Sequence, residues 1–143
     1  MLISETKIEV RYPEADRMGI VHHSVYAVWY EVARMDYFAA VGFPYAEMSR
    51  HGINPPMVNL NVSFRATVTY PETVTIRTHC EAFGPKKLKL AYETINAKGE
   101  VVNSAETFHI WTGPDNRSIR LSEVLPEVYN GFRLAAGADR ETL

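Results

Sequence analysis

The sequence predicts an α+β fold in which a curved antiparallel β-sheet wraps around one long central α-helix. Residues 25–41 carry apolar side chains at helical spacing, and tyrosine and alanine fill much of the remaining circumference. From residue 58 onward the pattern changes to alternating apolar and polar side chains, which is typical of strands. A helix that is apolar nearly all round is normally enclosed by protein. Because one helix cannot cover both faces of a flat sheet, we expect the sheet to curve around it.

The ends of this helix are marked by residues that favour helix termini. Ser24 is expected to be the N-cap, because its hydroxyl can accept a hydrogen bond from one of the first unpaired backbone amides. Gly42 is expected just beyond the last turn and is followed closely by Pro44, which does not continue a helix. The helix would be about 26 Å long, close to the width of a small domain.

The strands are predicted from period-two alternation between turn signals. One strand, residues 6–12, precedes the helix, and four follow it at residues 58–65, 74–80, 88–92 and 101–111. Short turns at Tyr70-Pro71-Glu72, Gly84-Pro85 and Lys98-Gly99 separate the four later strands. The expected arrangement of these four is an antiparallel meander.

Length and composition indicate one globular domain, residues 1–143, with a flexible tail at about 134–143. The net charge of −2 gives no sign of nucleic-acid binding. A single cysteine, Cys80, excludes an intramolecular disulfide and a cysteine-built zinc site. Neither a signal peptide nor an apolar run long enough to enter a membrane is evident, so a cytoplasmic location is expected.

Residues 11–26, just before and at the start of the helix, are the strongest candidates for chemistry. The free amides and the positive end of the helix dipole can polarise a carbonyl or stabilise an oxyanion. Asp16 can serve there as a general base or a nucleophile. His23 can bond a substrate carbonyl or position a water. A metal site is not expected, because no third ligand accompanies Asp16 and the neighbouring histidines.

The same segment resembles a known family. Its pattern Asp16-x-x-Gly19-x-Val21-x-His23-x-x-Tyr26 is similar to that of the hot-dog acyl-CoA thioesterases. The closer resemblance is to the 4-hydroxybenzoyl-CoA thioesterases and the related Tol-Pal-associated thioesterases, and it continues through the strands as far as Trp111. The resemblance implies the hot-dog fold, with no cofactor beyond the coenzyme A of the substrate.

The resemblance also implies a reaction and a set of site residues. An acyl-CoA thioester would be hydrolysed to a free acid and coenzyme A, with Asp16 as the catalytic carboxylate. Tyr12 and His23 match further site positions of the family, and the backbone amides of His23 and Ser24 would polarise the thioester carbonyl. Asp16 would either activate water or attack directly to form an anhydride. Two alternatives stay open: a hot-dog enoyl-CoA hydratase or dehydratase, and a non-catalytic acyl-CoA-binding module.

The expected partners are acyl-CoA and further copies of the chain. Lys86, Lys87, Lys89 and Arg65 are candidate ligands for the coenzyme A phosphates, although a solvated strand face explains the lysines equally well. Hot-dog proteins pair side by side, so a homodimer is the minimum expectation and a tetramer is a further possibility. In a dimer, Asp16 would face Asn59, Asn61 or Ser63 of the neighbouring copy.

Overall fold

A computed structural model describes residues 1–137 and 141–143. The strands are β1 (Ile3–Glu9), β2 (Met57–Phe64), β3 (Thr73–Phe83), β4 (Lys87–Ile95) and β5 (Val101–Ile110). The helices are α1 (Val25–Val41), α2 (Tyr45–Arg50), α3 (Leu121–Val124) and α4 (Pro126–Ala136), and a 3₁₀ turn spans Tyr12–Glu14. The predicted fold class is confirmed, because an antiparallel sheet wraps around α1.

Helix α1 has the bounds that the apolar spacing predicts. Gly42 ends it in the left-handed conformation, with φ of +104°, and donates its N–H to the carbonyl of Ala39. The prediction for Ser24 is correct in position but wrong in chemistry. Ser24 has helical backbone angles and caps no amide with its hydroxyl, which pairs instead with the imidazole of His22.

The order of the strands in the sheet is β1-β3-β4-β5-β2, so only β3, β4 and β5 form a meander. The predicted four-stranded meander is wrong, because β2 pairs with β5 and lies at an edge of the sheet. The eight residues between β2 and β3 form no tight hairpin. Val68 in their middle is fully buried, and its carbonyl accepts the N–H of Val21 from the loop before α1. This connection therefore holds the loop against the sheet.

The core lies between α1 and the inner face of the sheet. The largest fully buried side chains are Trp111, Tyr30, Tyr37, Tyr92, Phe38, Phe83 and Phe132. Phe132 belongs to α4, which packs on β3 and was not predicted. Helices α2 and α3 are also short additions without a long apolar repeat. Of the predicted tail, residues 134–136 end α4, Thr142 and Leu143 hydrogen-bond to the carbonyl of Phe83, and residues 138–140 lie outside the described residues.

Two neighbouring surfaces of the single chain are apolar and exposed. Strand β2 pairs on one side only and exposes Val58, Leu60 and Phe64 by 59%, 40% and 51%. Helix α1 exposes Val28 and Val32 on its outward side. Exposed, unpaired edge strands are unusual in monomers because they pair with other chains.

Candidate active site

The loop before α1 folds into a small hairpin that runs from Glu14 to His22. The N–H of His22 donates to the carbonyl of Glu14 at 3.0 Å, and the N–H of Asp16 donates to the carbonyl of Ile20 at 2.8 Å. Gly19 lies in the turn of this hairpin with a φ of +79°, a backbone conformation that glycine adopts more readily than other residues. A backbone hydrogen-bond ladder therefore fixes Asp16 relative to the start of the helix.

Asp16 stands at the first position of this turn and is partly exposed. Its Oδ1 accepts the N–H of Met18 at 2.8 Å, which orients the carboxylate. Among the described residues, none donates a hydrogen bond to the other oxygen, Oδ2. An oriented carboxylate with one available oxygen can accept a proton from water or attack a carbonyl carbon.

The helix start is capped by His22, which the sequence did not single out. Nδ1 of His22 accepts the N–H of Ser24 at 3.2 Å, and its carbonyl accepts the N–H of Val25 at 3.0 Å. The amide of Ser24, a predicted carbonyl-polarising group, is therefore engaged. Within the described chain, no acceptor is bonded to the N–H of His23. The ring of His23 is exposed and lies against that of His22, with centroids 4.1 Å apart.

Tyr12 and Asp16 line one concavity of about 690 Å³, together with Pro13, Arg17, Gly19 and Tyr70. The ring of Tyr12 is 76% exposed and stands edge-on to that of Tyr70, with centroids 5.6 Å apart. Ser24 lines a neighbouring concavity of about 260 Å³, which also contacts Pro13. The structure thus brings Tyr12 and Asp16 together and places the helix start beside them.

A buried carboxylate, Glu14, joins this loop to α1. It is only 6% exposed and accepts the Trp29 indole Nε1–H at 3.0 Å and the Arg11 backbone N–H at 2.7 Å. The Arg11 guanidinium lies 3.3 Å from its Oε2. Burial alone would raise the pKa of Glu14, but these hydrogen bonds and the charge of Arg11 hold the pKa below its ordinary value.

The predicted coenzyme A ligands fall at different places. Arg65 lies on the connection that also carries Val68, at the end of the sheet where the Asp16 loop sits. Lys86 and Lys87 lie at the start of β4. The other end of that strand, at Ile95, pairs with Thr75 and lies at the end of the sheet where the Asp16 loop sits. Ile95 lies eight residue steps beyond Lys87 along the strand, which is about 26 Å. In a single chain, Lys86 and Lys87 are therefore remote from Asp16.

Lys89 points to the outer face of the sheet and is already paired. Its Nζ lies 3.0 Å from Glu81 and 3.2 Å from Glu106, and it stands over the ring of Phe108. The hydrogen bond to Glu81 raises the pKa of Lys89, and the bond to Glu106 adds to this against the cost of burial. Asn61 and Ser63 line a groove on the same outer face as Glu106, away from α1.

Two further residues belong to this region and were not predicted. In the sequence, Glu14 cannot be told apart from an exposed loop carboxylate. Only the folded structure shows that its side chain accepts the Trp29 indole N–H. Tyr70 lies more than fifty residues after Tyr12 in the chain and reaches it through the crossing connection between β2 and β3. No signal within a single sequence links such distant positions.

The fold and the comparisons with known proteins identify a hot-dog thioesterase, as the sequence pattern predicted. The profile of the thioesterase-like superfamily matches residues 10–132, and the chain belongs to that family. The chain is 33% identical over 136 residues to YneP of Bacillus subtilis, a putative acyl-CoA thioesterase; the match covers 94% of this chain and 99% of YneP. The chain is accordingly a thioester hydrolase.

Other relatives agree with this assignment. A crystal structure of a DHNA-CoA thioesterase from Staphylococcus aureus superposes with a TM-score of 0.91 at 37% identity, covering 96% of this chain and 93% of that one. A 4-hydroxybenzoyl-CoA thioesterase from a Pseudomonas species is 25% identical over 122 residues, or 80% of this chain and 86% of the relative. Among the described residues, no helix is long and apolar enough to span a membrane.

Proposed function

We propose that this protein hydrolyses acyl-CoA thioesters to a free acid and coenzyme A, with Asp16 as the reacting carboxylate. The observation that carries this proposal is the orientation of Asp16: one oxygen is held by the Met18 N–H, while the other has no donor among the described residues. The family and the names of the relatives support the substrate class.

In the proposed reaction, the thioester carbonyl oxygen accepts a hydrogen bond from the N–H of His23. The positive end of the α1 dipole then favours the negative charge that develops on this oxygen. Of the two predicted amides, that of Ser24 is held by His22, so the His23 amide is the one left for substrate.

Asp16 supplies the nucleophile by one of two routes. As a general base, Oδ2 removes a proton from water, the hydroxide oxygen bonds to the carbonyl carbon, and the carbon–sulfur bond breaks to release the thiolate. As a nucleophile, Oδ2 attacks that carbon directly; the resulting anhydride is then hydrolysed and restores the carboxylate. In the first route the thiolate takes up the proton that Asp16 removed from water and leaves as coenzyme A. In the second route the thiolate leaves as the anhydride forms and takes up a proton from solvent, and the later hydrolysis of the anhydride by water releases the acid together with a proton.

We further propose that the working unit contains at least two copies of the chain, paired along β2. The exposed edge of β2 and the apolar residues Leu60, Phe64, Val28 and Val32 lie on adjoining surfaces that a second copy would cover. Such pairing also bears on the coenzyme A phosphates. Lys86 and Lys87 lie about 26 Å of strand away from Asp16 of their own chain, so they would serve a site on the partner subunit.

The test is release of free thiol from a panel of acyl-CoAs by the purified protein. The panel contains acetyl-, hexanoyl-, palmitoyl-, benzoyl- and 4-hydroxybenzoyl-CoA, with a thiol reagent as readout. We expect steady release with at least one of them. Release from none of these substrates contradicts the proposal.

The two alternatives have their own signatures in the same preparation. A hydratase would add water to an enoyl-CoA, seen as loss of the conjugated enoyl absorbance without free thiol. A binding module would retain acyl-CoA without turnover. We expect neither hydration without thiol release nor binding without turnover.

A further inference from the structure

We infer that Glu14 is a positioning residue for this reaction, because one residue fixes both the carboxylate and the amide that the reaction uses. This inference rests on the proposed function and concerns a residue to which the family resemblance assigns no role. Its side chain anchors the loop to α1, and its backbone carbonyl holds the arm of the hairpin that leads into the helix.

The side chain of Glu14 collects three donors in a buried place. The Arg11 backbone N–H lies 2.7 Å from Oε1, while the Trp29 indole N–H lies 3.0 Å and the Arg11 guanidinium 3.3 Å from Oε2. Trp29 stands on the second turn of α1 and is 3% exposed, so its indole cannot follow a displaced loop. The carboxylate therefore ties the 3₁₀ turn to a rigid point of the helix.

The backbone of Glu14 acts on the other half of the site. Its carbonyl accepts the N–H of His22, the residue that caps α1 and immediately precedes the His23 amide. Asp16 lies two residues beyond Glu14 on the same arm of the hairpin, opposite the arm that carries His22. A shift of Glu14 would consequently move Asp16 and the His23 amide relative to each other.

The ionised carboxylate is what this position requires. All three groups that face Glu14 are donors, and an ionised carboxylate offers only acceptors. In Glu14→Gln one of the two oxygens becomes an NH₂ group, which would meet a donor and leave it unpaired. The side-chain volume hardly changes, so this substitution weakens the clamp and leaves the packing in place.

The expected effect is on turnover rather than on substrate binding. Displacement of reacting groups by about 1 Å is enough to cost about 100-fold in rate. We expect Glu14→Gln to lower kcat by about 10- to 100-fold while KM stays within about threefold. Trp29→Phe, which keeps an aromatic ring in the core and removes only the indole donor, should lower kcat in the same way.

The matched control is Tyr37→Phe, on the same helix but far from the loop. The Tyr37 hydroxyl is fully buried and accepts the Cys80 N–H at 3.0 Å, so its removal also deletes one buried hydrogen bond. Thermal unfolding of all variants is measured beside kcat and KM. We expect Tyr37→Phe to lose stability without losing kcat.

Each outcome decides the inference. A kcat within twofold of the parent in Glu14→Gln overturns it, and so does a loss of kcat that Tyr37→Phe shares at equal loss of stability. If Glu14→Gln does not fold, the kcat of Trp29→Phe decides by the same criteria. Thiol release by the unaltered protein is measured first: its absence removes the proposed function, whereas normal release with unaffected variants removes only the role of Glu14.

Discussion

A chain of buried hydrogen bonds joins α1 to the segment that enters β2, and it permits a quantitative prediction. The guanidinium of Arg34 donates to the hydroxyl of Tyr92 at 3.0 Å, and that hydroxyl lies 2.9 Å from Oγ1 of Thr107. Thr107 lies 2.8 Å from Nε2 of His109, whose Nδ1 lies 2.9 Å from the carbonyl of Pro55. Both ends fix the direction, since a guanidinium only donates and a carbonyl only accepts.

The direction of the chain requires a neutral His109. Its Nδ1–H donates to Pro55, so Nε2 has to accept the hydroxyl proton of Thr107. Burial lowers the pKa of His109 to about 4, against the opposing hydrogen bond to Pro55, so the imidazole is neutral near pH 7. Thr107 is thus both acceptor and donor, and it is fully buried.

Replacing Thr107 with valine keeps the shape of the side chain and removes its hydroxyl. The hydroxyl of Tyr92 then lacks its acceptor and Nε2 of His109 lacks its donor, both in a buried place. A buried polar group left unpaired costs about 1–3 kcal/mol. With two such groups and some relaxation, we expect Thr107→Val to lower the free energy of unfolding by about 2–4 kcal/mol.

The assay is urea unfolding followed by tryptophan fluorescence, at one protein concentration, with the slope against urea checked for constancy. Thr78→Val is the matched control. Thr78 is equally buried on β3, and its Oγ1 has no hydrogen-bond partner within the described residues. We expect Thr78→Val to be neutral or stabilising. Equal free energies for the two valine variants would refute the reasoning.

Three further predictions concern the loop, the edge strand and a surface lysine. Because the pKa of Glu14 is lowered in the folded state, the ionised carboxylate stabilises the fold fully above its ordinary pKa, and this stabilisation is lost as pH falls through the pKa of the folded state. The urea midpoint should therefore decline less from pH 6 to pH 3 in Glu14→Gln than in the parent. Leu60→Glu places a charge on the exposed edge and should shift the sedimenting species toward the monomer and lower thiol release; an unchanged sedimentation profile would contradict pairing through β2. Lys89→Gln should leave KM for acyl-CoA within twofold, since Lys89 is held by Glu81 and Glu106, and a severalfold rise in KM would show that it contacts coenzyme A.

The sequence predicted the features that are encoded by a regular spacing or a short local motif. The long helix followed from seventeen residues of consistent apolar spacing, whereas the role of Asp16 is a prediction from a compact local pattern. The strand order did not follow, because alternation shows which face of a strand is buried but not which strand lies beside it. Strand β2 reads like its neighbours in sequence, yet it pairs with β5.

The details of the site depended on competition between side chains. Ser24 has the residue type of an N-cap, but the imidazole of His22 takes the Ser24 amide and hydroxyl instead. Lys89 reads as an available cation until the fold places carboxylates from β3 and β5 on either side of it. Such outcomes are decided by residues that are distant in sequence, which explains why local patterns did not reveal them.

The central claim is that the carboxylate of Asp16 performs the chemistry, and comparison of the parent with Asp16→Asn tests it most directly. The amide keeps the size of the side chain and its bond to the Met18 N–H, but it is a poor base and nucleophile. With the best substrate of the panel at saturating concentration, we predict a loss of kcat of about 100- to 10,000-fold, with binding of a non-hydrolysable S-alkyl-CoA unchanged. A variant that releases thiol at the parent rate would contradict the account.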